Sequence, residues 1–173
     1  MISKILLVSQ LSEESRDLQH TLNRNKLYSV ERVDDVRSAV HKMKSGIVHM
    51  VMFNNELFNK QKLVSANFVR KEAYEVPIMM LAKAISPDAL EYAKSLTKLV
   101  VLEKPYEVKD LYGITSKLTA GANVSQRIHR RFYTKQVAKI ETLGGAMTHD
   151  ATMLNLSKGG AYLELKNKID LRG

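Results

Sequence analysis

The spacing of apolar residues changes along this chain, and the change divides it in two. The first part alternates short apolar runs with helical stretches. "KILLVS" (Lys4–Ser9) is an apolar run, and "SEESRDLQHTLNR" after it has helical periodicity. Ser12 is placed to cap that helix, with Glu13 and Glu14 in its first turn. "LYSVERV" predicts the next strand. In "VDDVRSAVHKMK", Val33, Val36, Val40 and Met43 share one helical face, and Gly46 ends the helix. "IVHMVMF" (Ile47–Phe53) is continuously apolar, as a strand buried on both faces should be.

A polar and helical stretch then runs to about Ala73. "VPIMML" (Val76–Leu81) predicts a fourth buried strand. "SPDALEYAKSL" opens a helix with Ser86 as cap and Pro87 at the first helical position. "KLVVLEKP" is a fifth strand stopped by Pro105, and "EVKDLYGITSKLTA" is a last helix ended by Gly121. Five strands alternating with five helical segments predict an α/β domain, with a parallel sheet covered on both faces.

"GANVSQ" is small and polar and marks a boundary, with one domain over 1–121, a linker over 122–126 and a second domain over 127–173. Helical periodicity stops there. "YTKQVAKIETL" alternates, with Val137 and Ile140 separated by polar residues, and Gly144–Gly145 breaks it. "THDATML", a turn at "NLSKGG" and "AYLELKN" complete an all-β meander.

Composition narrows the function classes. The chain of 173 residues has no cysteine, so disulfide, zinc-thiolate and thiol-nucleophile chemistry are excluded. The apolar run at the N-terminus is too short for a signal peptide or a membrane span, which predicts a cytoplasmic protein. Net charge is +9, and residues 122–173 hold +5 of it. An anionic partner, or simply a solvated basic surface, accounts for that excess.

In an open parallel sheet, chemistry collects at the carboxyl ends of the strands. Here those ends carry Ser9–Gln10, Asn54–Asn55, Ala82–Lys83 and Glu103–Lys104–Pro105. Their order and spacing over about residues 3–120 resemble the receiver domain of response regulators, which implies a doubly wound, flavodoxin-like sheet of five strands. The resemblance puts Asn54 where receivers carry the phosphorylated aspartate. It puts Ser9–Gln10 where they carry the acidic pair for Mg²⁺, and Ala82 where they carry the phosphate-sensing Thr or Ser. Lys104–Pro105 matches the family's lysine and proline. An amide cannot act as the nucleophile, and Ser9 with Gln10 offers magnesium no anionic oxygen. The pattern is that of a pseudo-receiver, serving protein interaction or self-association. Lys104 either hydrogen-bonds in the cleft or is merely tolerated by the turn.

Arg127 and Arg131 stand four apart in "RIHRR", followed after roughly 25 residues by Asn155, Ser157 and Gly160 in "NLSKGG". The order, spacing and strand context resemble the PilZ family, whose members bind cyclic di-GMP. A PilZ barrel has more strands than follow here, so the resemblance covers its N-terminal part. It implies cyclic di-GMP as ligand and Arg127, Arg131, Asn155, Ser157 and Gly160 as its site. The chemistry fits: a guanidinium donates two hydrogen bonds to guanine O6 and N7, or grips phosphate. Arg130 and Lys158 add charge that serves either phosphate steering or solubility. No histidine spacing suits a metal, and no cofactor is expected.

The expected function is a non-enzymatic, cyclic di-GMP-binding signalling effector. The alternative is a degenerate scaffold or dimerisation protein that binds no nucleotide. Few aromatics and no recognition-helix pattern argue against nucleic acid, and Asn54 argues against an active phosphorelay receiver.

Overall fold

A computed structural model of the chain describes residues 2–73, 76–124, 132–141, 147–157 and 160–165. The chain divides into two compact units, Met1–Gln126 and Arg127–Gly173.

The first unit alternates β1 (Ser3–Val8), α1 (Glu13–Arg24), β2 (Tyr28–Val33), α2 (Val36–Ser45), β3 (Met50–Phe58), α3 (Lys60–Ala73), β4 (Ile78–Ile85), α4 (Pro87–Lys94), β5 (Leu99–Glu103) and α5 (Val108–Thr119). The strands pair in parallel in the order β2-β1-β3-β4-β5. The strand order reverses beside β1, so β1 and β3 flank the crevice where such sheets place their chemistry. Strand residues alternate between two buried cores. Leu6, Val8, Val51, Phe53 and Met80 pack with residues of α2, α3 and α4. Ile5, Leu7, Met52, Leu81 and Val100 pack with Leu18 and Leu22 of α1 and Leu111 and Leu118 of α5.

Local chemistry sets the helix ends. Ser12 caps α1, and its hydroxyl accepts from the Ser15 amide while the Ser15 hydroxyl accepts from the Ser12 amide. Asp35 caps α2 by accepting from the Ser38 amide at 2.7 Å. Ser86 and Pro87 stand at the start of α4, but the Ser86 side chain makes no cap bond. Gly121, with φ +75°, closes α5. Its amide bonds Leu118 O, and the Ala122 amide bonds Lys117 O, which satisfies carbonyls the helix leaves open.

The strand limits differ from those the apolar runs predict. β3 starts at Met50, leaving Ile47 exposed, and continues through the polar "NNE" to Phe58. β4 likewise continues to Ile85. Asn54, Asn55, Ala82 and Lys83 therefore lie inside strands. The reason is mutual pairing: Asn54 to Phe58 run beside Leu81 to Ile85, past the last pair of β1 from Asn54 onward and past the last pair of β5 from Lys83 onward. Backbone pairing needs no apolar side chain. Buried Phe58 anchors the far end, where its carbonyl accepts from the Ser86 amide at 2.9 Å.

The second unit holds three antiparallel strands, β6 (Phe132–Glu141), β7 (Thr148–Ser157) and β8 (Gly160–Leu165), in the order β6-β7-β8. The register sets Ala138, Ile140, Ala151, Met153, Leu163 and Leu165 on one face. Lys139, Glu141, Asp150 and Glu164 stand on the other. Only two residues, 158 and 159, join β7 to β8. Asn155 and Ser157 are thus strand residues, and the turn is shorter than "NLSKGG" suggests.

Candidate functional site

The cleft of the first unit lies at the carboxyl ends of β1, β3, β4 and β5. Ser9 is buried, and its hydroxyl donates to Gln10 O at 3.0 Å. Arg32 holds the Ser9 carbonyl at 2.7 Å and the Asp34 carboxylate at 2.5 Å. Asn54 sits on β3 with its side-chain oxygen buried and without a hydrogen-bond partner among the described residues. Hydroxyl and amide groups are the donor set at these positions, and magnesium takes anionic oxygens, so the residues do not fit that ion. Among the described residues no three His, Cys, Asp or Glu side chains group as metal ligands.

Lys104 is where the cleft's charge is concentrated. Its side chain is 7% exposed, and its Nζ meets Glu14 Oε1 of α1 at 2.6 Å. The same Nζ donates to Asn55 O at 3.2 Å. Of the two readings of Lys104, the hydrogen-bonded one is therefore found. The other oxygen of Glu14 lies 4.0 Å from Lys83 Nζ, which pairs with Glu56 Oε1 at 3.0 Å. The hydrogen bond to Glu56, with the charges of Glu56 and Glu14, holds Lys83 above the usual lysine range. Tyr106, after the cis Lys104–Pro105 peptide, has its hydroxyl pushed up to about 12, chiefly by burial and then by the Glu14 charge. Sequence reasoning missed Glu14 because a carboxylate in the first turn of a helix is already explained by the helix dipole.

In the second unit, Asn155 of β7 stands opposite Tyr133 of β6 and Tyr162 of β8. Register shifts fall beside it in both pairings, between Tyr133 and Gln136 on β6 and between Met153 and Asn155 on β7. Ser157 is two residues on, on the same side of the strand, and pairs with Gly160. Its hydroxyl donates to Gly160 O at 3.2 Å. Gly160 has φ +145°, which side-chain-bearing residues rarely adopt, and open space where a Cβ would stand. The structure thus brings Asn155, Ser157 and Gly160 together at one end of the sheet. Arg127, Arg130, Arg131 and Lys158 lie outside the described residues.

No family model and no curated protein matches the chain. Solved structures do match, across the first unit. A response regulator receiver protein from Sinorhizobium medicae aligns with TM-score 0.55 at 23% identity, over 69% of this chain and 95% of its own. The chemotaxis protein CheY4 of Vibrio cholerae aligns with TM-score 0.54 at 22% identity, over 68% and 99%. The receiver domain of a sensor histidine kinase from Pseudomonas aeruginosa, with magnesium in its active-site cleft, aligns with TM-score 0.53 at 19% identity, over 69% and 99%. Among the described residues no helix is long and apolar enough to cross a membrane. The first unit has the receiver fold.

Proposed function

We propose that the chain is a non-enzymatic signalling effector that binds cyclic di-GMP through its second unit. The receiver-fold unit, unable to accept a phosphoryl group, serves protein interaction. The observation that carries the ligand is the motif pair. Asn155, Ser157 and Gly160 converge at the β7–β8 turn, and the sequence sets Arg127 and Arg131 just before β6. An amide oxygen suits guanine N–H donors, a hydroxyl suits guanine or phosphate oxygens, and two arginines supply the forks that guanine and phosphate take. Phosphoryl incompetence is supported by Asn54 at the acceptor position and by the lack of a carboxylate on Ser9 and Gln10.

A second reading has an observation of its own. Val64 and Phe68 stand four apart on the outer face of α3, 67% and 40% exposed. They favour self-association, the part of the scaffold reading that this surface bears on.

Calorimetric titration of the full chain with cyclic di-GMP separates the two. The effector gives saturable heat, and Arg131→Ala weakens binding roughly tenfold or more, the worth of one bidentate contact. Absence of heat at tens of micromolar ligand overturns it, and a dimer seen by light scattering then supports the scaffold. Phosphate incorporation from a small phosphodonor would refute the incompetent receiver.

A further inference from the structure

The sheet of the first unit ends on one side at β2, and side chains close that edge where a further strand would pair. The Ser3 amide bonds Leu27 O and the Ser9 amide bonds Val33 O, so alternate residues from Leu27 to Val33 turn their backbone groups toward β1. Tyr28, Val30 and Arg32 turn theirs outward. Val30 stands at the middle of this edge, and α1 takes both of its backbone groups. Its amide donates to Asn23 Oδ1 at 2.8 Å, and its carbonyl accepts from Gln19 Nε2 at 2.8 Å. Gln19 and Asn23 lie four apart, on one face of α1. One supplies a donor and the other an acceptor, as a residue of a neighbouring strand would. A bare edge is a template for another strand.

We infer that Gln19 and Asn23 mimic a strand, and that the edge they close is a latent pairing site for β2 of a second copy of this chain. The occupant follows from the sequence of β2. Antiparallel pairing of two such strands about Val30 is two-fold symmetric. It sets Val30 against Val30 with both backbone bonds exchanged. The same register puts Tyr28 opposite Arg32, Ser29 opposite Glu31 and exposed Leu27 opposite Val33. No like charges face each other, and the outward-facing residues of one strand meet those of the other. α1 is therefore a lock on self-association through β2, independent of the ligand proposed for the second unit.

The test is light scattering of the full chain over a concentration series, with amide hydrogen exchange read at Val30. Gln19→Met with Asn23→Leu removes both mimic groups and keeps good helix formers. The mass of this double variant is expected to rise with concentration, toward twice the wild-type value and beyond any rise that wild type shows. Its Val30 amide should exchange about tenfold or more faster than wild type at low concentration, and slow again as the mass rises. Asn23→Asp keeps an acceptor for the Val30 amide and should follow wild type in both readings. A double variant whose mass follows wild type at every concentration overturns the inference. So does a rise in mass that leaves the Val30 amide fast, because association then uses another surface. An Asn23→Asp chain that associates like the double variant overturns it as well. If the double variant does not fold, Gln19→Ala with Asn23→Ala takes its place. Failure of both to fold overturns the inference too, since the two bonds would then hold the unit together and not merely close its edge.

Discussion

At the scale of single residues, buried polar groups separate those that are satisfied from those that are not. Ser15 is fully buried and makes reciprocal bonds with Ser12. Thr115 is equally buried on α5, yet its hydroxyl has no partner among the described residues. A buried hydroxyl without a partner has lost water and gained nothing, whereas an apolar group of the same shape loses nothing. Thr115→Val keeps the branched shape and a similar helix propensity. It is expected to raise stability by about 1 kcal/mol, seen as an increase in melting temperature of about 2–4 °C. A fall would mean that the hydroxyl has a role in the fold. Residue identity was also where sequence reading went furthest and then stopped. Asn54 announced an amide in place of a carboxylate. Nothing local announced that Lys104 would take its counter-ion from residue 14, because 90 residues separate the two and only the fold brings them together.

At the scale of elements, the alternation of short apolar runs and capped helices made the five-stranded sheet legible. Each strand contributes buried residues to both cores and each helix to one. The ends of β3 and β4 were not legible, because the pairing that extends them is a property of two backbones and leaves no mark in hydropathy. Ion pairs between elements add a pH dependence. Glu31 on β2 meets Lys42 of α2 at 2.6 Å and Lys4 of β1 at 3.2 Å. The hydrogen bond from Lys42 first, then that from Lys4, holds its carboxyl below the ordinary 4.5. A carboxyl lowered by folding adds stability above its unfolded value, and that stability is lost as pH falls through the folded value. Wild type should therefore melt above Glu31→Gln at neutral pH. The gap should close as the solution is acidified below pH 4.5. A gap that stays constant in acid would show that the pairs contribute nothing to stability.

At the scale of the whole molecule, the two units differ in how much each buries. The first has two cores, one on either face of its sheet. Among the described residues of the second, Ala151 is the one fully buried apolar side chain. Local opening follows the apolar contact that must be broken. Amide hydrogen exchange should therefore be slowest in β1, β3 and β4 and faster by orders of magnitude in β6, β7 and β8. Equal protection across all eight strands would show that the second sheet is covered by something beyond its described residues. The paired ends of β3 and β4 bear on how the first unit can convey information. Asn54, Asn55, Leu57 and Phe58 are each committed to a residue of the neighbouring strand. A backbone so committed cannot adopt a second path without giving up a row of hydrogen bonds at once. In the proposed protein-interaction role, the face around Asn54 would present a fixed shape, and a partner that recognised it would find the same surface at every encounter.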